Sequence, residues 1–267
     1  MIQDVQKLGH ISYSAVTTYL ADRQDFFRRY VMGIREYRDT PSTLVGHAVH
    51  KYIETVLIGH GEECAHATGE HMIRNAIEVD WGKTGTVEEC LRKFNYARSL
   101  FDTEGQRAIF GMVHLGAEQE YRRKVPGIRV TIKAIIDAIF MDEEGRIWIY
   151  DWKTTTKLEE GIKPAFIIQA MMYRWAVWKT YGKIPYAMAF FTMKVNPSRD
   201  DAAVTRTDSI IYDEHAIEEK AVKRLVQSVL REASRKHPAF LPNVRSDFTA
   251  RSSWESYIQS FTETPQI

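Results

Sequence analysis

Two neighbouring stretches decide the fold: VTIKAIIDAIF, at residues 130–140, and IWIYDWKTT, at residues 147–155. The first is rich in β-branched residues, and the second alternates between two sets of side chains, as a strand with two different faces does. The four residues Asp142-Glu143-Glu144-Gly145 between them have the composition of a turn. We therefore predict an antiparallel hairpin.

The hairpin brings acidic side chains together. Folding it about its turn sets Asp137 opposite Tyr150 and beside Asp151. Side chains two apart on a strand share a face, so Lys153 points the same way as Asp151, while Trp152 points the other way. An Asp-x-Lys sequence alone is more typical of a simple ion pair or of a solvent-exposed strand end. A second carboxylate among apolar neighbours needs compensation, which favours a divalent metal and a catalytic centre.

Composition sets the class of protein. The chain has 267 residues, 44% of them hydrophobic, which is enough for a substantial buried core. It contains no apolar run of roughly 20 residues and no leader pattern at its start, so we expect a cytoplasmic protein without a membrane partner. A net charge of +1 does not identify a ligand. The only two cysteines, Cys64 and Cys90, cannot form a zinc or iron–sulfur site by themselves.

The first half of the chain reads as mainly helical. Ser12 or Ser14 can cap a first helix, and a second is predicted from about residue 45 to 58. Residues 61–86 read as a polar excursion, and a further helical segment follows over about residues 87–110.

Strands begin near residue 113, first with a segment that carries Glu118 and Glu120. After the hairpin, Pro164 starts a helix that stops near Gly182, and residues 186–195 form another strand. A last helix over about residues 214–236 precedes a tail. The tail contains three aromatic residues, Trp254, Tyr257 and Phe261. We expect one α/β domain over residues 1–267, with a helical region at 1–112, a catalytic core at 113–213 and a C-terminal helix and tail at 214–267.

Several short motifs, in order over much of the chain, together resemble the RecB-type nucleases of the PD-(D/E)XK superfamily. They are Ile11-Ser12-Tyr13-Ser14, Gly46-His47-Ala48-Val49-His50, the strand of Asp137, Asp151-Trp152-Lys153-Thr154-Thr155 and Gln169-Ala170-Met171-Met172-Tyr173. The resemblance implies a restriction-endonuclease-like fold, with a small mixed central β-sheet flanked by helices and a helical N-terminal region.

The resemblance also implies roles for individual residues. The metal ligands would be His50, Asp137 and Asp151, together with the carbonyl oxygen of Trp152, and Lys153 would position or activate water. His47 is then a neighbour of His50, and Glu54 either orients its ring or lies exposed.

Three further residues complete the predicted site. Related nucleases often carry an acid on the strand before the hairpin, and we favour Glu120 over Glu118 for that place. Gln169 lies in an almost wholly apolar helix, where a buried amide must find partners. The resemblance assigns Gln169 and Tyr173 to organising the site and the DNA backbone.

The implied cofactor is Mg²⁺ or Mn²⁺, since carboxylates are hard ligands and one imidazole is somewhat better suited to Mn²⁺. Many RecB-type nucleases hold an iron–sulfur cluster through four cysteines, which this chain lacks, so no cluster is expected. The sequence has no Gly-Lys-Ser/Thr phosphate loop, so a separate helicase or recombination protein is the expected motor partner.

The expected function is therefore a metal-dependent DNA nuclease, with exonuclease action in DNA recombination, repair or processing as the leading interpretation. Three alternatives stay open. The same centre suits a structure-specific endonuclease, the fold can serve a noncatalytic DNA-binding or assembly protein, and nothing in the sequence reads a 2′-hydroxyl, so RNA is a further substrate to test.

Overall fold

The computed structural model describes residues 8–34, 38–83, 85–196, 201 and 203–234. It divides into two compact units. The first unit contains the described residues of Met1–Glu36, Arg122–Ala134 and Ile217–Ile267, and the second contains those of Tyr37–Tyr121 and Ile135–Ala216. The expectation of a single domain stays a prediction. The predicted aromatic tail with Trp254, Tyr257 and Phe261 lies outside the described residues.

The described elements follow one another as helices, strands, a helix, strands and a helix. In chain order they are β1 (His10–Ser12), α1 (Tyr13–Ala21), α2 (Arg23–Phe26), α3 (Pro41–Leu57), α4 (Glu62–Arg74), α5 (Val87–Leu100), α6 (Gln106–Ala108), β2 (Val113–Lys124), β3 (Thr131–Met141), β4 (Ile147–Thr155), α7 (Pro164–Tyr181), β5 (Ala187–Lys194), β6 (Thr205–Ile211) and α8 (Ala216–Glu232). Short π-helical turns follow α2 at Phe27–Val31 and α5 at Phe101–Gly105.

The six strands form a mixed sheet in the order β1-β3-β4-β5-β6, with β2 also paired to β3. Strands β1 and β3 are parallel, as are β4 and β5, whereas β3 with β4 and β5 with β6 are antiparallel. A small mixed sheet with flanking helices confirms the predicted fold class. Strand β6 has no counterpart in the sequence prediction, because its polar, charged sequence TRTDSII lacks the apolar run of a buried strand.

The predicted hairpin is confirmed, but its register is shifted by one residue. Ala138, and not Asp137, lies opposite Tyr150. The turn is closed by backbone hydrogen bonds from Gly145 to Asp142 and from Asp142 to Arg146, and Gly145 has a φ of 73°. This left-handed residue, which glycine adopts without strain, lengthens the connection and moves Asp137 away from Tyr150 and toward Asp151.

A layer of helices covers one face of the sheet in the second unit. Helix α3 starts at Pro41, four residues before the prediction, because Thr40 and Thr43 form a reciprocal capping box ahead of a proline that suits a first helical position. Helix α4 lies where we predicted a polar excursion, so that prediction was wrong. Small residues there, Ala65 and Gly69, pack inward with Ile73, and the polar composition belongs to the outer face.

The core of the second unit lies between this layer and the sheet. Its largest fully buried side chains include Tyr52, Phe94, Phe101 and Trp152. Trp152 meets the ring of Phe101 edge to face at 5.2 Å between centroids. The predicted alternation along β4 is thus present, since Trp152 is directed into this core.

The first unit contains a capped helix and a pair of parallel strands. Ser12 caps α1 by accepting a hydrogen bond from the backbone N–H of Ala15, as one of the two predicted caps. Strand β1 pairs with the beginning of β3, from Thr131 to Lys133.

Among the described residues, none of the helices combines the length and the apolar character needed to cross a membrane.

Candidate metal centre

His50 occupies the middle of α3 and faces the end of strand β4. Its Nε2 atom lies 2.7 Å from the carbonyl oxygen of Trp152. Its Nδ1 atom lies 3.1 Å from Glu118 Oε1 and 3.5 Å from Asp137 Oδ2. One imidazole therefore touches groups from three strands, β2, β3 and β4, all within the second unit.

Glu118 reaches this place through an unusual backbone. It has a φ of 47° inside strand β2, in the left-handed region that residues other than glycine seldom adopt. Buried positions on the strand occur at Gly116 and Tyr121, an odd separation that a regular period of two does not allow. The inward and outward faces of β2 therefore exchange near Glu118, and such backbone outliers cluster at functional sites.

Glu120, the acid that we favoured from the sequence, is exposed, whereas Glu118 is half-buried beside His50. Glu120 has contacts of its own, and its catalytic role stays a prediction. Alternation alone does not distinguish Glu118 from Glu120, because residues two apart on a regular strand share a face. Only the left-handed residue separates them.

Asp137 is buried and is held from the neighbouring strand. The backbone N–H of Trp152 donates a hydrogen bond of 2.8 Å to Asp137 Oδ2, which also faces His50. Burial raises the pKa of Asp137, and the nearby carboxylate of Asp151 raises it further, against the opposing charge of His50. The carboxylate is therefore in surroundings that favour a proton or a cation beside it.

Asp151 is the most deeply buried acid of the group, at 1% exposure. Gln169 Nε2 donates to its Oδ1 at 2.5 Å, and Lys153 Nζ lies 2.6 Å from its Oδ2. Asp151 and Lys153 share a face of β4, as the alternation predicts, and Gln169 reaches them from helix α7. That helix has the predicted start at Pro164 and ends at the left-handed Gly182.

The remaining residues named in the sequence analysis lie on the same helices as Gln169 and His50. Tyr173 is buried one turn beyond Gln169 on α7 and has partners of its own. His47 Nδ1 lies 3.4 Å from Asp39 Oδ1. Glu54 Oε2 lies 2.7 Å from Lys51 Nζ, a contact that neither of its two alternatives included. The roles of both residues stay predictions.

The electrostatics of His50 reflect its acidic surroundings. Burial alone would lower the pKa of the imidazole, but the charge of Asp137 and the hydrogen bond and charge of Glu118 outweigh it. The pKa of His50 rises from 6.5 to about 9. Protonated His50 thus acts as the counter-ion of the acidic cluster at neutral pH, in a place that a metal cation can also fill.

The donor set fits a hard divalent ion. His50, Glu118 and Asp137 each offer one ligand atom, and these atoms all lie within 4.8 Å of one another. The carbonyl oxygen of Trp152 faces the same imidazole. Two carboxylates, one carbonyl and one imidazole suit Mg²⁺ or Mn²⁺. Asp151 stands outside the three-residue cluster, bound instead to Gln169 and Lys153, and its predicted role as a ligand stays a prediction.

A cleft of 640 Å³ opens onto this cluster and gives it access to solvent. Its wall includes one side of helix α3, with Thr43, Gly46 and His47, and the strand residues Glu118 and Lys153. A Cβ atom at Gly46 would lie 3.5 Å from Thr154 Oγ1, so helix and strand approach closely at the floor of the cleft.

Of the comparisons with known proteins, a family model identifies the superfamily of this chain. The sequence model described as the PD-(D/E)XK nuclease superfamily matches residues 10–246. A search among curated proteins found no match. A search of solved structures found, among others, one described as the crystal structure of SSO0001, 12% identical, covering 90% of this chain and 83% of that chain with a TM-score of 0.39. Another is an alkaline exonuclease (LHK-Exo) from Laribacter hongkongensis, 11% identical, covering 82% and 97% of the two chains with a TM-score of 0.37.

Proposed function

The chain belongs to the PD-(D/E)XK nuclease superfamily, and on that premise we propose that it is a deoxyribonuclease that hydrolyses phosphodiester bonds with Mg²⁺ or Mn²⁺. One observation carries the proposal. The three-residue cluster of His50, Glu118 and Asp137 lies at the end of the strand that also presents Asp151 and Lys153. Superfamily membership and the donor chemistry of this cluster both support a metal-dependent reaction.

In this proposal His50, Glu118 and Asp137 hold the ion, with the Trp152 carbonyl oxygen and Asp151 as further ligands. A bound divalent ion supplies charge neutralisation at the phosphate and lowers the pKa of water. The buried carboxylates are already held in place, Asp137 by the backbone N–H of Trp152 and Asp151 by Gln169. Such supporting contacts fix ligand orientation before substrate arrives.

In this proposal Lys153 orients the water molecule and stabilises the negative charge on the phosphate. Its ammonium lies 2.6 Å from Asp151 Oδ2, while 30% of its side chain stays exposed to the cleft. From there the Nζ–H groups can donate to a phosphate oxygen or orient a water molecule, and the positive charge opposes the charge that develops on the phosphate. Gln169 keeps Asp151 in the orientation that retains the ion pair.

Exonuclease action in DNA recombination, repair or processing is the finer level of the proposal, with a helicase or recombination protein as partner. Its support is the RecB-type resemblance of the motifs. End-labelled linear DNA, nicked circles and closed plasmid circles test it in the presence of Mg²⁺ or Mn²⁺. Degradation that needs a free end is expected, and cleavage of closed circles would instead indicate a structure-specific endonuclease.

Catalysis itself is tested with Asp151→Asn, which keeps an oxygen to accept the hydrogen bond from Gln169. Loss of metal-dependent cleavage with an unchanged circular dichroism spectrum is expected. Asp142→Asn, at the hairpin turn, is the matched control and should cleave like the wild type. Equal cleavage by Asp151→Asn would sink the assignment, and no cleavage by any protein would favour a noncatalytic DNA-binding role. Matched RNA oligonucleotides test the substrate class.

A further inference from the structure

A second, smaller cavity adjoins the cleft at Lys153. It measures 130 Å³, large enough for a group of the size of a phosphate. Lys153 and Thr154 line both this cavity and the 640 Å³ cleft over the metal-binding cluster. A group bound at Lys153 is therefore next to both of them.

The cavity is bounded by the sheet, by the start of α7 and by residues 154–163. Strand pairing sets one wall, because Lys153 lies opposite Thr192 and Thr192 lies opposite Arg206. The three side chains form one row across β4, β5 and β6. By the usual spacing of strands, the row spans about 10 Å between its outer Cα atoms. The ammonium and the guanidinium can therefore contact successive phosphates of one strand.

The cavity carries an excess of positive charge. Its basic lining residues are Lys153, Lys157, Lys163 and Arg206, and its acidic ones are Glu159 and Asp208. Three of these cations have acidic partners, Lys153 in Asp151, Lys163 in Glu159 and Arg206 in Asp208, so the net charge with Asp151 counted is +1. Arg206 binds Asp208 in a two-pronged arrangement, with Nε 2.8 Å from Oδ2 and Nη2 2.8 Å from Oδ1. This is the geometry in which an arginine binds a phosphate, with a carboxylate in the phosphate's place.

One wall of the cavity is aromatic. The ring of Phe166 stacks on that of Phe190 at 4.4 Å, and Lys153 Nζ lies 5.9 Å from the centre of the Phe166 ring. The accessible space is lined by the hydroxyl residues Thr155 and Thr192 as well as by the cations. Hydroxyl and cationic groups together match the oxygen atoms of a phosphate.

We infer that this cavity binds the phosphate next to the scissile one, with Arg206 as its main cation and Asp208 as the group that the phosphate displaces. The inference rests on the proposed nuclease function and adds a substrate-positioning site to it. The phosphate is either an internal phosphodiester or a terminal phosphate of the strand, which share the same chemistry. Lys157 and Lys163 add charge at the rim.

The two members of the ion pair should have opposite effects on DNA affinity. Arg206→Gln removes a phosphate contact, so the dissociation constant should rise roughly 3- to 10-fold, and the slope against salt should fall by about 0.7 on single strands. Asp208→Asn removes the competing carboxylate and should lower the dissociation constant by a similar factor. A purely structural ion pair predicts instead that both variants lower the unfolding temperature and leave affinity unchanged.

The experiment measures fluorescence anisotropy of labelled single-stranded and duplex oligonucleotides with the full chain in EDTA. Arg146→Gln is the matched control, since Arg146 is bound by Asp142 at the opposite end of β4. Oligonucleotides with phosphorylated and with hydroxyl ends separate the terminal from the internal source. Wild-type affinity in Arg206→Gln, weaker binding in Asp208→Asn, or no detectable binding by the wild type overturns the inference.

Failure of the nuclease proposal would look different. Binding that follows the expected pattern, without cleavage under any metal, would leave the phosphate site standing and remove the catalytic function. Cleavage by a protein whose affinity ignores both substitutions would remove the phosphate site alone.

Discussion

Glu118 Oε1 lies 3.1 Å from His50 Nδ1, and the contact depends on a left-handed residue within strand β2. With regular strand dihedral angles at residue 118, the Glu118 carboxylate would not point at the imidazole of His50. The φ of 47° costs of order 1–3 kcal/mol in a residue with a Cβ atom. The backbone at Glu118 is therefore less stable than a regular strand, and this conformation holds the carboxylate beside His50.

The two acids of β2 provide a matched pair of variants. Glu118→Gln should weaken Mn²⁺ binding by about tenfold or more, because it removes a charged ligand from the three-residue cluster. Glu120→Gln, two residues on and exposed, should leave the affinity within about twofold of the wild type. Isothermal titration calorimetry in the absence of DNA measures both. The reverse order would return the role to Glu120.

Metal affinity should rise with pH. The imidazole of His50 must lose its proton to bind an ion, and its pKa in the folded protein is about 9. Affinity for Mn²⁺ should therefore increase by up to about tenfold for each pH unit between about 7 and 9, and more steeply below about 7, where Asp137 must lose its proton as well, with protons released on binding. His50→Gln should reduce this slope and the proton release. A flat profile in the wild type would contradict the proposed ligand.

The stability of the metal-free protein should change in the opposite direction. His50 has a higher pKa folded than unfolded, so its contribution is complete below pH 6.5 and is lost as the pH rises through about 9. The pKa of Asp137 rises from 3.8 to about 7, so its contribution also falls with rising pH, but at lower pH, and is lost as the pH passes about 7. Urea unfolding in EDTA should show a falling free energy over this range, less steep in His50→Gln.

Lys153→Met should affect both stability and turnover. The substitution leaves the buried carboxylate of Asp151 without its ammonium partner, at a cost of about 3 kcal/mol in the metal-free protein. Cleavage should fall by about 100-fold or more, because a cation near the reacting phosphate is lost. Lys153→Arg should retain most of the stability and still cleave poorly, which separates folding from chemistry.

Lys93→Met is the control for that variant. Lys93 Nζ lies 3.2 Å from the partly exposed carboxylate of Glu89, one turn away on the same helix, and such surface pairs contribute less than about 1 kcal/mol. Both the free energy of unfolding and the cleavage rate should stay close to the wild type. Equal losses of stability and of cleavage rate in the two methionine variants would contradict the role proposed for Lys153.

Gln169→Leu should remove the hydrogen bond by which helix α7 holds Asp151. The amide donates to Asp151 Oδ1 from a position of 2% exposure, and a buried acceptor left without a donor costs about 1–3 kcal/mol. We expect that loss in urea unfolding, together with weaker Mn²⁺ binding. Gln227→Leu removes an exposed hydrogen bond, which the side-chain amide of Gln227 donates to the Gly127 carbonyl oxygen, and serves as the control. Unchanged stability in Gln169→Leu would exclude the positioning role.

Local chemistry explains what the sequence predicted well. The alternation in β4, the turn from Asp142 to Gly145 and the boundaries of α7 all follow from residues close to one another in the chain. Side-chain period and cap chemistry act over a few residues, so they can be read without knowing the fold. The pairing of Asp151 with Lys153 on one face has the same origin.

Contacts between distant segments explain what was missed. Strand β6 is polar and becomes a strand by pairing with β5, which is buried by other elements of the second unit. Arg206 is therefore set beside Lys153 by two strand pairings that no local pattern reveals. Helix α4 likewise gains its stability from packing against α3 and not from an apolar sequence.

By itself, the sequence determined the hairpin and the chemistry available on it: two acids, a lysine and an apolar strand that makes unpaired charge costly. Only the tertiary structure decided which acid of β2 meets His50, how the hairpin register aligns Asp137, and that Arg206 borders the cavity beside Lys153. The reason is physical. Alternation fixes the face on which a side chain lies, whereas register, backbone outliers and strand order fix its neighbours.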